Sequence, residues 1–421
     1  MLKRLPLSVL LVLAIAASAS TWFYISHILK PQQIADAAAK HQPRGNLSDL
    51  YPRWLGAREL LLRRRNPYSG EITREIQRGY YGRELDPSNP GDPKDQQGFA
   101  YPAYVVFLLA PTINLPFEAV QPAFRWLLIA LTGASVLLWL YVLRDRSSCG
   151  TKCLFVILML GWLPTVQGIR LQQLTLLVAS LLAACGACLA AGWLALGGVL
   201  LALATIKPQL TWPIVLWLLV WAFSDWRARR RFVYAFAAMM VLLLIGAEII
   251  LPGWLRMFLE GIRQYHQYTQ NQSVLVWLFG VVVGRIAEVL GVAACASVLW
   301  QLRREPASGP AFGRSFALVM ALTVAIVPMF APYNQVLLAP AILAVALGNR
   351  PVLPAIRVAR MVGAVVILWP FVATIALAAG FFWITPELRV RLWPVPFYTN
   401  FMIPIFAFAL SLLDGWLAPK A

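Results

Sequence analysis

The stretch QLTWPIVLWLLVWAFSDWRARRRFVYAFAAMMVLLLIGAEIIL (residues 209–251) decides the fold. Two apolar runs flank one basic cluster, Trp226 to Arg231, and neither run shows the alternation of a barrel strand. Inside lipid such runs satisfy their backbone polar groups by forming helices. Two helices meeting at a basic turn read as a pair that crosses the bilayer and returns, with the turn on the cytoplasmic side where Lys and Arg gather.

Comparable runs recur along the 421 residues, which are 60% hydrophobic and 13% charged with mean hydropathy +0.68. A soluble domain carries roughly twice that charged fraction. The composition therefore gives an all-α polytopic membrane protein, a single membrane-embedded domain over residues 1–421. The net charge of +18 follows from membrane topology rather than nucleic-acid binding, since no basic helix with interleaved aromatics accompanies it. Membrane lipids are the expected surroundings, in a bacterial-type inner or plasma membrane.

Threading the runs through a bilayer gives about twelve transmembrane helices with both termini cytoplasmic. Every compact basic cluster then falls inside: Arg144 with Arg146, Trp226 to Arg231, Arg303 with Arg304, and Arg357 with Arg360. Residues 29–120 form a large first extracytoplasmic loop and residues 121–421 the remaining bundle. The opening MLKRLPLSVLLVLAIAASAS has signal-peptide features. Its apolar character continues through TWFYISHIL, which favours a retained helix over roughly 5–28. The CxxC of Cys185 and Cys188 lies within an apolar run, where small residues let helices approach, so no disulfide and no metal is assigned.

Residues 30–98 hold nine of the chain's 18 acidic residues. Within them DLYPRWLGARELLLRRR (49–65) reads as an amphipathic helix with Ser48 or Asp49 as cap. Leu50, Trp54, Leu55, Leu60 and Leu61 are expected to rest on the membrane surface. The proline-bounded YPAYVVFLLAPTINLP (101–116) suits a helix lying at the interface.

A carboxylate at the outer rim of a bundle is a candidate general base. A phosphate-bearing lipid donor would need cations, and Arg53, Arg58, Arg170, Lys207 and Arg263 share the expected outer side. Arg170 and Lys207 stand at helix ends on the cation-poor side, where phosphate contact competes with snorkelling to headgroups. Asp49 is a helix cap or a base; Asp36, Asp92 and Asp95 read as solvated loop charges. His266 reads as an ordinary polar contact; Trp254, Tyr265, Tyr268 and Trp393 are candidates for stacking on sugar faces, with interfacial anchoring the expected use of most of them.

SDLYPRWLGARELLLRRRNPYS followed by GFAYPAYVVFLLAP resembles the opening of glycosyltransferase family 87. The family's early Asp, its Pro-Tyr turn and its Tyr-Pro-Pro segment align with Asp49, Asn66-Pro67-Tyr68 and Tyr101-Pro102. Further on, GIRLQQLTLL is similar to its Gly-Gln-x-Asn region, and AGWLALGGVLLALATIKPQL to a region whose lysine falls at Lys207. QNQSV, with Asn271 and Gln272, and APYNQVLLAPAIL, with Tyr333 and Asn334, match two later features. Where many members carry a histidine after the Ser-Pro turn, this chain reads Ala331-Pro332-Tyr333-Asn334-Gln335, and Tyr-Pro-Pro is Tyr101-Pro102-Ala103.

The resemblance implies a type C glycosyltransferase bundle that inverts configuration. One sugar, mannose, would move from a polyprenyl phosphate donor to a glycolipid or glycan acceptor at the extracytoplasmic face, without cofactor or metal. Asp49 would be the base, Lys207 with Arg170 or Arg263 would hold the phosphate, and Arg53, Arg58, Tyr101, His266, Asn271, Gln272, Tyr333 and Asn334 would bind substrate. Two other classes are a transporter or flippase of lipid-linked sugars and a non-catalytic envelope-assembly protein. Glu248 and Glu288, the few intramembrane acids, offer little of the midplane polarity a transporter uses.

Overall fold

A computed structural model describes residues 6–40, 48–86, 88–268, 272–328, 331–348 and 354–416. Regular structure among these residues is entirely helical, as lipid requires of an open chain with unbroken apolar runs. The helices are α1 (Leu7–Tyr24), α2 (Lys30–Ala39), α3 (Tyr51–Arg63), α4 (Gly70–Tyr81), α5 (Val105–Leu109), α6 (Phe117–Val142) and α7 (Cys149–Gly161). Next come α8 (Leu163–Arg170), α9 (Leu174–Ala190), α10 (Leu194–Ala204), α11 (Pro208–Phe223), α12 (Trp226–Ile250) and α13 (Trp254–Tyr268). The chain ends with α14 (Val274–Leu302), α15 (Pro310–Ile326), α16 (Ala339–Leu347), α17 (Pro354–Gly380), α18 (Pro386–Leu392) and α19 (Met402–Trp416).

By length and composition, six helical segments among the described residues can cross a membrane, or seven if α7 and α8, bent by 59°, form one broken span. The protein is thus a helical polytopic membrane protein. The expected count of about twelve also took in α9, α10, α11, α15 and the segment Pro332–Leu347 that contains α16, which are apolar but only 11 to 17 residues long. A 30 Å core takes about 20 helical residues, so length alone marks none of these five as a span. Of these, α15, buried along nearly its whole length, and α9, buried along most of it, form an inner layer, while α10 and α11 keep exposed faces at Leu196, Trp212, Leu216 and Phe223. Longer lipid-length helices such as α12 stand outside, with Val241, Leu242, Ile245 and Ile249 exposed. Close approach at Gly198 joins α10 to α12, since a Cβ there would lie 2.4 Å from the Phe232 carbonyl oxygen of α12.

Two elements differ from their expected form. The first helix runs on past Leu29 through a π-helical turn, Ile25–Leu29, into α2. The α3 helix starts where expected, but neither Ser48 nor Asp49 caps it; the cap position is Leu50, without a side-chain hydrogen bond. Nor does its apolar face lie on lipid. Leu50, Trp54 and Leu60 are buried in the main core, and the Trp54 indole donates to the Thr112 carbonyl at 3.2 Å. The α5 segment fills the space beneath, with Val105, Val106 and Leu109 buried. An apolar helical face needs an apolar partner, and here protein supplies it.

The bundle has two polar ends. The basic residues Arg144, Arg229, Arg303 and Arg304 lie at one, where α6, α11 and α14 finish. The opposite end carries α3, α4, α5 and α13 together with the starts of α6, α9 and α11.

Candidate active site

Three non-helical pieces meet at this second end: Ser48 to Leu50 ahead of α3, Leu171 to Gln173 between α8 and α9, and Thr205 to Lys207 between α10 and α11. The Asp49 backbone N–H donates to the Leu171 carbonyl at 2.8 Å. Gln172 takes a positive φ of 50° in the same turn, which brings Gln173 round to face Asp49.

The side chains then form a continuous line. The Gln173 amide nitrogen donates to the Asp49 carboxylate. Lys207 Nζ donates to Gln173 Oε1 at 3.0 Å and to Thr175 Oγ1 at 2.7 Å. The Thr175 hydroxyl donates to Asn334 Oδ1 at 3.1 Å. Asp49 and Lys207 are therefore coupled through a neutral amide. Lysine has three donors, so two are used here and one remains for a ligand.

A cavity of about 370 Å³ opens beside this line, lined by Arg53, Tyr101, Gln173, Lys207, Trp212 and Tyr333 among others. The Tyr101 and Tyr333 rings flank Lys207, each centroid 5.6 Å from Nζ. The Arg53 guanidinium lies 4.7 Å above the Tyr101 ring and donates to the Asp49 backbone carbonyl at 2.9 Å. Its Nε is buried with no hydrogen-bond partner among the described residues. Lys207 directly precedes Pro208, the first residue of α11, and Gln173 directly precedes α9. Two helix N-termini thus add partial positive charge beside two cations, an arrangement that favours an anion.

Burial shifts both ends of the line. It holds the Asp49 carboxyl above the usual carboxylate range, against the opposing pulls of Arg53, Gln173 and Lys207. Burial also brings the Lys207 ammonium down to about 7, helped by Arg53 and opposed by Asp49. A carboxylate raised this way is suited to accept a proton, and a desolvated ammonium interacts strongly with any phosphate that reaches it.

The structure brings together Asp49, Lys207, Arg53, Tyr101, Tyr333 and Asn334 from the residues expected in sequence. Arg170 and Arg263 do not join them. Arg170 turns to the first helix and donates to the Ile25 carbonyl at 3.0 Å, because its position on α8 faces away from the turn that carries Gln173. Arg263 points from the far side of α13, 3.7 Å from Glu260. Arg53 is the arginine that lines the cavity. Arg58 stacks over Trp54 at 5.3 Å outside the cavity wall, and Gln272 is exposed ahead of α14. Asn271 lies outside the described residues, as do the side chains of His266 and Tyr268.

Tyr265 lines the cavity. Three further residues depart from their expected roles. Trp254 is buried against the Tyr104 ring at 5.8 Å and is not an interfacial anchor. Asp92 is a buried partner of Arg83. Asp95 accepts from the Gln97 backbone and side-chain amides at 3.0 and 2.8 Å, and its carboxyl is raised by burial. Neither is a solvated loop charge. Gln173 and Thr175 were not singled out from sequence. Their signal was there in GIRLQQLTLL, whose second Gln is the bridging one.

No curated protein and no solved structure matches the chain. The family model of glycosyltransferase family 87 matches residues 99–332, more than half of the chain. The matched span contains Tyr101, Gln173, Thr175 and Lys207 and begins after Asp49. Together with the helical bundle, this match makes the protein a membrane glycosyltransferase that belongs to glycosyltransferase family 87.

Proposed function

We propose that the chain transfers one hexose, mannose, from a polyprenyl phosphate to a hydroxyl of a lipid or glycan acceptor, with inversion, at the extracytoplasmic face. The observation that carries this reading is the line Asp49–Gln173–Lys207 beside a cavity that also holds Arg53. It joins a proton acceptor to an anion site, the two functions such a transfer needs.

The donor is a phosphodiester. The acceptor oxygen attacks the sugar's anomeric carbon while that carbon's bond to the phosphate oxygen breaks, and the electron pair leaves with the phosphate. Asp49 takes the acceptor proton. The phosphate gains one negative charge, so Lys207, Arg53 and the helix N-termini bind it more strongly as the bond breaks, which lowers the barrier. Tyr101 and Tyr333 offer rings for the sugar face.

Two features support the lipid donor and the orientation. An apolar groove of about 340 Å³, lined by Phe107, Leu108, Leu203, Met239 and Leu243, meets the cavity at Ile206, which lines both. An isoprenoid tail fits that groove while its phosphate reaches Lys207. The basic clusters at the opposite end of the bundle agree with an outward-facing site. The reading extends to a type C bundle in which the five shorter apolar helices count among about twelve spans.

The test is transfer in proteoliposomes with radiolabelled polyprenyl-phosphate-mannose, with GDP-mannose as the alternative donor. The expected result is an inverted product from the lipid donor alone. A retained anomer, or transfer from the nucleotide donor instead, overturns the reading.

A further inference from the structure

The α13 helix divides two spaces. Phe258, Ile262 and Tyr265 face the donor cavity. On its other side lies a larger groove of about 970 Å³, walled by the first-loop segment around Thr73 and Gln96 to Ala100. Ala100 lines both spaces, so the groove and the donor cavity meet at one small side chain. The Tyr68 hydroxyl ties them further, since Tyr68 lines the groove and donates to the Tyr101 carbonyl at 2.6 Å.

We propose that this groove is the acceptor channel and that it takes a hydroxyl-rich, uncharged sugar chain, free or carried on a lipid. This rests on the glycosyl-transfer reading above and deepens it. The groove's chemistry differs from that of the donor cavity. Thr73, Gln96 and Gln264 line it with neutral groups; the Thr73 hydroxyl donates to the Ser69 carbonyl at 3.0 Å and Gln96 Oε1 accepts from Gln77 at 3.0 Å, which leaves hydroxyl lone pairs and amide N–H groups for sugar hydroxyls. Its arginines, Arg256 and Arg263, come with Glu260, which lies 3.7 Å from Arg263. The Glu260 carboxylate offsets one of them, so the groove draws an anion less strongly than the donor cavity, which holds Lys207 and Arg53 without an acid in its lining. At about 970 Å³ the groove stands at the upper end of the ~300–1,000 Å³ common for ligand sites, room for more than one sugar ring. Tyr68, half-buried and held edge-on by the buried Phe99 at 83°, supplies an aromatic face.

Two glycines leave the groove wall bare and provide the test. A Cβ at Gly98 meets only Thr73 Oγ1, at 3.9 Å. At Gly261 it meets the Phe99 carbonyl oxygen and Tyr68 Cδ1, both at 3.9 Å. Neither glycine has a positive φ. A Cβ is therefore accommodated at both, which makes Gly98→Trp and Gly261→Trp the variants that add bulk at the groove wall, and neither residue belongs to the donor cavity lining.

Full-length protein in detergent is tested for equilibrium binding of mannotetraose and of octyl α-mannoside. In the same preparations, cleavage of polyprenyl-phosphate-mannose by water is measured beside transfer to each sugar. Wild type binds and glycosylates a probe; preference for one probe tells a free glycan from a lipid-borne sugar. Both tryptophan variants lose binding and lose transfer by about tenfold or more, while donor cleavage stays within about twofold of wild type. Undiminished binding in the variants, no binding of either probe by wild type, or equal loss of transfer and cleavage overturns the channel. Failure of wild type to cleave or use the donor overturns the donor reading instead, and the binding comparison still judges the groove.

Discussion

Each end of the bundle buries one cation to the same depth, Lys207 and Arg229 both being 6% exposed, and the two are partnered in opposite ways. Arg229 donates to four backbone carbonyls, those of Trp221, Arg303, Arg304 and Glu305, and stacks on the Trp221 ring at 4.1 Å. It closes the turn between α11 and α12 onto the chain between α14 and α15, and four of its five N–H donors are consumed in doing so. Lys207 has two neutral side-chain partners, two flanking rings and an open cavity. A buried cation saturated by carbonyls holds structure together. One left under-partnered beside a cavity is held ready for a ligand, at some expense in stability.

The largest effect that sharpens this contrast is expected at Asp49. Asp49→Asn keeps the shape and removes the base, and transfer should fall by about 10²–10⁴-fold with unchanged thermal unfolding. Lys207→Met comes next. Its rate should fall by about 10²–10³-fold, and the midpoint of unfolding should stay or rise, because an ammonium that is costly to bury has been removed. Arg229→Met should invert that pattern. Four carbonyls lose this donor, and of them Glu305 keeps the Trp221 indole at 2.9 Å, so about 1–3 kcal/mol of stability is lost, while the folded fraction turns over at close to the wild-type rate. Denaturation in mixed micelles together with initial rates measures both. A variant of Arg229 that folds normally and loses transfer would erase the distinction between the ends.

Smaller effects report on the line itself. Activity needs Asp49 ionised and Lys207 protonated, so the free enzyme should show a bell-shaped kcat/KM profile. Because burial raises the Asp49 carboxyl, the acid limb should lie above the usual carboxylate range. Because burial lowers Lys207 to about 7, the basic limb should fall near that pH and move upward once the donor phosphate binds. Gln173→Leu removes a hydrogen bond that favours the carboxylate. The acid limb should then shift to higher pH, with a loss of roughly tenfold at neutral pH. An unmoved acid limb would show that Gln173 does not touch the ionisation of Asp49.

The two ends also differ in how far sequence reveals them. The basic end was legible, because lipid topology acts on composition: Trp226 to Arg231 marks a turn without reference to any tertiary contact. At the site end, the start of α3, Asp49, Lys207 and Tyr101 could be found from motif order. What was hidden depends on helix rotation and partner choice. The apolar face of α3 reads alike whether lipid or α5 covers it, so Leu50 and Trp54 were placed on the surface and proved to be core. Arg170, Arg263 and Arg53 all looked suitable for a phosphate, and only the packing of α8, α13 and α3 separates them. Bridging by Gln173 follows from the positive φ at Gln172, a backbone feature that no residue type at that position announces.

The central claim is that Asp49 and Lys207 act as one unit through Gln173. The most direct measurement is the initial rate of transfer from polyprenyl-phosphate-mannose by wild type, Asp49→Asn, Lys207→Met and the double variant, in matched proteoliposomes. The account predicts two crippled single variants and a double variant within about tenfold of the slower one, since groups serving one step are strongly non-additive. Transfer at the wild-type rate by Asp49→Asn, or a double variant whose loss is the product of the two single losses, would contradict it.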